Sequence, residues 1–169
     1  MPHPNWRNSL AEQERALRRW LSSADIDRDG DTQAIDLRTL LRRRESDRVS
    51  MSLPGTPVAL ERGVAAELDA AVGNALDNVR SHAGPDARAF VLLEDLGDSV
   101  AVSVRDDGVG IAAGRLEEAA RQGHLGISKS IVGRLMSLGG SAQLHTDVGE
   151  GTEWEMRVPR RGAGTRGSG

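Results

Sequence analysis

The sequence predicts an α+β fold, a two-layer sandwich with three main helices on one face of a mixed sheet of about five strands, plus an N-terminal helix. Three features carry that prediction. From Asp36 onward the hydrophobic pattern runs in the order α-β-α-β-β-(α)-α-β-β. One apolar stripe, Val64, Leu68, Ala71, Val72, Ala75, Leu76 and Val79, holds helical spacing over about four turns. Near both ends of that order, alternating segments are bounded by glycine turns of the kind that stop or reverse strands.

In chain order, residues 9–21 place Leu10, Leu17, Trp20 and Leu21 at helical spacing among Glu and Arg, an amphipathic helix. A polar, Asp-rich loop follows to residue 34. Residues 36–47 form a second helix, with Asp36 as its cap and Leu37, Leu40 and Leu41 as its apolar stripe. A strand at 49–53 stops at Pro54-Gly55. The long helix spans 58–82 and ends at Gly84-Pro85. Strands at 88–95 and 99–105 make a hairpin about Leu96-Gly97-Asp98. A short helical stretch at 115–122 precedes Gly123-His124-Leu125-Gly126, and a helix at 127–138 ends on Gly139-Gly140. The final strands, 141–146 and 152–158, flank Asp147-Val148-Gly149-Glu150-Gly151. The chain thus divides into an N-terminal helix and acidic linker (1–34), one α+β domain (35–160) and a Gly/Arg/Ser tail (161–169) whose composition predicts disorder.

At 169 residues and 38% hydrophobic composition the chain can bury one domain's core. No apolar run approaches the roughly 20 residues of a membrane span, and the first residues lack the apolar stretch of a signal peptide. Without cysteine, disulfides and thiolate metal sites are excluded, which fits a cytoplasmic location. A formal net charge of -3 gives no reason to expect nucleic acid or direct membrane contact. Lys129 is the only lysine among 22 basic residues, in keeping with an Arg- and Ala-rich composition.

Three segments carry chemistry. Asn74, Asn78 and His82 stand at i, i+4 and i+8 on one face of the long helix. Asparagine is a mediocre helix former, so two on one stripe need a use. Either they fix packing and face solvent, or an amide oxygen ligates Mg²⁺, a hard cation that also bridges phosphates. In Val104-Arg105-Asp106-Asp107-Gly108-Val109-Gly110, a strand ends in Asp-x-Gly-x-Gly. This reads as an ordinary turn, or as a carboxylate acceptor for the exocyclic amine of adenine beside glycines that let a flat ligand approach. In Gly123-His124-Leu125-Gly126-Ile127-Ser128-Lys129-Ser130, a glycine loop feeds a helix N-terminus, whose unpaired N–H groups suit a phosphate. Ser128 and Lys129 in the first turn add donors or charge.

In this order, the three segments resemble the N, G1 and G2 boxes of the GHKL (Bergerat-fold) ATPases. Leu138-Gly139-Gly140, then Gly149-Glu150-Gly151-Thr152-Glu153-Trp154 and Val158-Pro159, is similar to the ending of sensor histidine kinase catalytic domains of the type common in actinobacteria. The likeness covers roughly residues 36–159. It implies ATP and Mg²⁺ as cofactors, with Asn78 as the Mg²⁺ ligand and Asn74, one turn earlier, near the phosphates. Asp106 would receive the adenine amine, Gly108 and Gly110 would shape the pocket floor, and Thr152 would support the adenine end. Gly126 with its neighbours His124 and Leu125 would hold phosphate, and His82 would lie near the nucleotide.

The implied activity transfers the ATP γ-phosphate to a histidine on a separate dimerisation domain, with a response regulator downstream. The helix at 9–21 would be the remnant of that domain, and any sensor or membrane anchor would belong to a parent chain. None of His3, His82, His124 and His145 sits early in a helical hairpin beside an acid, so autophosphorylation is not expected of this piece. The pattern also departs from the family. The basic residue often found three positions after the Mg²⁺ asparagine is Ser81, with Arg80 one place early. The G2 box is the short Gly-x-x-Gly, the ATP lid between Gly110 and Gly123 is small, and no phenylalanine box is visible. Two alternatives stay open, an anti-sigma-factor-type serine kinase and a degenerate nucleotide-binding interaction module.

One motif points elsewhere. Asp25-Ile26-Asp27-Arg28-Asp29-Gly30 opens like an EF-hand Ca²⁺ loop with Asp36 at its twelfth position. Thr32 stands where a branched apolar residue is usual, so the segment reads as an acidic linker.

Overall fold

The computed structural model describes residues 33–123 and 126–160. The helix expected at 9–21, the linker up to residue 32, His124, Leu125 and the tail lie outside the described residues.

Strand alternation builds the sheet. On β4 (Ala89–Asp95), Ala89, Val91 and Leu93 are buried while Phe90, Leu92 and Glu94 are exposed. On β5 (Ser99–Asp106) the buried series Val100, Val102 and Val104 continues to Asp106, so the period of two that makes the core also carries a carboxylate into it. These strands join β2 (Val49–Ser52), β6 (Ser141–Asp147) and β7 (Gly151–Pro159) in the order β2-β4-β5-β7-β6. The β2–β4 pair is parallel and the rest antiparallel, giving the mixed five-stranded sheet. Register aligns Val91, Val104, Trp154 and Leu144 in one row across four strands.

Helix α2 (Arg62–His82) covers the inner face with Val64, Ala65, Leu68, Ala71, Val72, Ala75, Leu76 and Val79 buried. Each valine and leucine among them contributes up to roughly 1.5–3 kcal/mol on leaving water. Helix α4 (Gly126–Ser137) adds Ile131 and Leu135. It is tied to α2 by an Arg134–Glu67 ion pair of 2.7 Å. A short helix, α3 (Ala113–Arg121), lies between them in sequence. The layer arrangement is the two-layer α+β sandwich expected. No helix among the described residues is long and apolar enough to cross a membrane.

Two boundaries differ from expectation. The long helix starts at Arg62, because Ala59–Glu61 is a strand, β3, paired antiparallel with β1 (Ala34–Asp36). Val58 and Leu60 are both buried, a spacing of two that helix-favouring Ala, Leu and Glu conceal. Helix α1 (Leu37–Arg42) is shorter than 36–47. Past its end Arg44 turns onto Asp69 in a two-pronged contact of 2.8 Å each, lying over Gly73, where a Cβ would come within 2.7 Å of the guanidinium. Asp69 raises the Arg44 pKa further above its ordinary value.

Asp36 caps α1 as expected, accepting from the N–H of Arg38. It also accepts from the N–H of Val58 and from the Arg38 guanidinium, whose hydrogen bond holds its pKa below the usual carboxylate value. The twelfth position of the EF-hand-like loop is thereby committed to the fold. At the far end Arg160 clasps Asp95, Gly97 and Ala59, and its hydrogen bond likewise lowers the Asp95 pKa.

Candidate functional site

A cleft of about 700 Å³ opens between α2, the end of β5, α3 and the inner ends of β6 and β7. Its volume falls within the roughly 300–1,000 Å³ usual for small-molecule sites. The sheet supplies its floor. Asp106 is only 4% exposed and its Oδ1 accepts the N–H of Gly108 at 2.9 Å. Among the described residues Oδ2 has no hydrogen-bond partner. That oxygen belongs to a residue lining the cleft, so it is open there to a donor from a ligand or water.

Beside Asp106 the backbone is pressed together. Gly110 (φ 67) stands where a Cβ would lie 1.8 Å from the carbonyl oxygen of Asp147, and at Gly151 (φ 78) one would lie 2.0 Å from that of Asp106. Only glycine fits either place, by conformation and by space. The N–H of Gly149 donates to the carbonyl of Val109 at 2.9 Å, stitching the β6–β7 turn to this loop. The Thr146 hydroxyl accepts the N–H of Ile111 at 2.9 Å and donates to the carbonyl of Gly151 at 3.0 Å. Thr152 lies 3.0 Å away and, with that proton spent, is the donor of the threonine pair. Trp154 closes the floor, 3% exposed, with its indole N–H unpartnered.

The helical walls differ. Asn78 and His82 both face the cleft, with no hydrogen bond from either side chain among the described residues. Ala75 and Val79 line it beside them, so the polar row runs along the apolar stripe. Ser128, in the first turn of α4, and Arg115 and Leu116, on α3, complete the wall.

Other expected residues lie apart. Asn74 is half-buried, off the cleft wall, with its amide 3.5 Å from the Ser130 hydroxyl of α4. Gly108 packs against Ala83, where a Cβ would meet the carbonyl oxygen at 2.3 Å, and does not itself line the cleft. Gly126 and Lys129 are exposed at the start of α4 and do not line the cleft. Thr146 escaped the sequence reading, although it and Thr152 stand symmetrically about the β6–β7 turn and pair across it.

The model of the histidine kinase-, DNA gyrase B- and HSP90-like ATPases matches residues 63–162. The chain belongs to this ATPase family. The match runs from the second residue of α2 through the Asp106 strand, α3 and the Gly149–Thr152 segment, so the cleft lies within the ATP-binding ATPase domain. No curated protein matches the chain in sequence.

Solved histidine kinase structures share its fold. The ATP-binding domain of PrrB from Mycobacterium tuberculosis matches with a TM-score of 0.59 at 24% identity, over 78% of this chain and 98% of that one. Histidine kinase AdeS of Acinetobacter baumannii matches with a TM-score of 0.56 at 19% identity, over 95% of this chain and 87% of that one. The histidine kinase domain of the blue-light activated kinase of Erythrobacter litoralis EL346 matches at 0.54 and 19% identity, over 73% of this chain. This ATPase chain spans 57% of the length of that domain.

Proposed function

We propose that this chain is the catalytic part of a sensor histidine kinase, using ATP with Mg²⁺ to phosphorylate a histidine on a separate dimerisation domain, from which a response regulator takes the phosphoryl group. One observation carries the reading. A single cleft holds an unpartnered oxygen of a buried carboxylate at its sheet end and an unpartnered asparagine amide on its helical wall. The first suits the exocyclic amine of adenine and the second a phosphate-bound cation.

The residues present fit both groups. Gly110 and Gly151 keep side chains off the floor where a flat base would lie, and Asp106 Oδ2 offers an acceptor that excludes a base presenting only carbonyls. Asn78 would hold Mg²⁺, which when bound supplies neutralisation of phosphate charge. Ser128 and the N–H groups opening α4 offer donors at a positive helix end. Phosphoryl transfer asks the protein chiefly for positioning and charge. Among the described histidines, His82 is on the wall of the donor's own cleft and His145 faces Glu155 on β7 at 3.6 Å, away from it. The acceptor is therefore expected on another domain.

The test mixes the purified chain, γ-labelled ATP and Mg²⁺ with a panel of histidine-bearing dimerisation domains. An acid-labile label that disappears with Asp106→Asn is the expected result. Acid-stable label on a serine would make the chain a serine kinase instead. Nucleotide binding with no transfer to any partner would leave it a binding module.

A further inference from the structure

We propose that the outer edge of β6 pairs with β6 of a second copy of this chain, antiparallel about a two-fold axis at Leu144. β6 ends the sheet on one side, and among the described residues it pairs only with β7. Alternate residues of a strand turn their N–H and C=O groups to opposite sides, so one set on β6 points away from β7. The opposite edge is blunted, because β2 has only four residues and runs into Leu53-Pro54. β6 is seven residues long and contains no proline, lysine or arginine. Its inward side chains also stop short of full burial. Ala142, Leu144 and Thr146 are half-buried, whereas Trp154, Met156 and Val158 on the neighbouring strand are buried.

The strand is complementary to itself. Leu144 is its midpoint, so a two-fold axis there engages all seven residues and closes at two copies. On the inner face Leu144 meets Leu144 of the second copy, and Ala142 meets Thr146. On the outer face Gln143 meets His145 and Ser141 meets Asp147, each pair offering a donor and an acceptor. Asp147, the only carboxylate on the strand, thereby faces a hydroxyl rather than its own counterpart, and no like charges stand opposed. Within each copy Gln143 lies beside Glu155 and His145 beside Glu153 on β7. One strand pair buries less than the roughly 1,200–2,000 Å² of a standard interface, so the association depends on concentration. It does not depend on what the cleft binds.

Sedimentation equilibrium of the whole chain tests this, using the wild type, Q143K/H145K and Q143E/H145K. In the first variant lysines oppose lysines across the seam, while inside each copy they stand beside Glu155 and Glu153, so the isolated chain tolerates them. In the second, glutamate opposes lysine at the same places. The wild type is expected to rise from the mass of one copy towards that of two between about 1 μM and 1 mM. Q143K/H145K is expected to weaken the association about tenfold or more, and Q143E/H145K to keep or tighten it. A wild type that stays at one copy overturns the proposal and leaves the edge to a strand of a different protein. Mass growing beyond two copies overturns it as well, because a two-fold seam closes. Equal effects of the two variants would rule out the register and the proposal with it. Should Q143K/H145K fail to fold, loss of the dimer in Q143E/H145K overturns the proposal and its retention supports it. None of these outcomes bears on nucleotide binding, so failure here leaves the proposed function standing.

Discussion

The two ends of the cleft are built on different terms. At the sheet end every element is locked. Asp106 is tied to Gly108, Thr146 bonds Ile111 and Gly151, and the β6–β7 turn is bonded to Val109, all through backbone groups that cannot move without unpicking the sheet. At the helical end Asn78, His82 and Arg115 reach the cleft from helices and hold no protein partner among the described residues. The contrast teaches a division of labour. Under the function proposed above, the sheet end would be the preorganised base end that sets which ligand enters, and the helical end would be completed by phosphate and cation. Affinity at the first end is secured during folding; at the second it is gained on binding.

That contrast can be broken by substitution. The largest effect is expected for Gly110→Ala, which forces a methyl into the Asp147 carbonyl at a positive φ. Thermal melting should show a loss on the order of 3 kcal/mol or more, and a wild-type melt would mean the sheet end is not locked. Asn78→Ala should leave the melt alone and weaken ATP roughly tenfold with Mg²⁺ present, with no change in EDTA. Equal losses with and without the cation would remove Asn78 from its role.

Thr146→Val leaves the N–H of Ile111 without its acceptor, so urea denaturation should give a loss of about 1–3 kcal/mol. Smallest is the acid response. Asp36 and Asp95 have folded pKa values lowered by Arg38 and Arg160, below unfolded values near 3.9. Their contribution is complete above about pH 4 and is lost as pH falls through the lowered values, so Asp36→Asn should flatten the acid limb of a stability profile. A limb unchanged by that substitution would show that the corner is not held by charge.

Much of this architecture was legible. The strand ending in Asp-x-Gly-x-Gly marks Asp106 as a candidate, and the helical spacing of Asn78 and His82 predicts that they share a face, which follows from a period fixed by backbone geometry. What escaped depends on distant partners. The strand Ala59–Glu61 is three residues of good helix formers, made a strand by pairing with Ala34–Asp36 some 25 positions earlier. Asn74 shares its row with Asn78, yet α4 draws it toward Ser130. A period gives the face of a helix, but not which neighbour the face will meet.

The β6–β7 connection shows what such interlocking entails for sequence change. Hairpin tips ordinarily accept insertions, since added residues loop into water. Here Val148, Gly149 and Glu150 separate a pair, Asp147 and Gly151, that abuts the Gly110 loop. One extra residue absorbed as a register slip would carry Trp154 to the outer face and part Thr152 from Thr146. The tip is a spacer whose length is copied into the cleft, although it lines that cleft with Val148 alone.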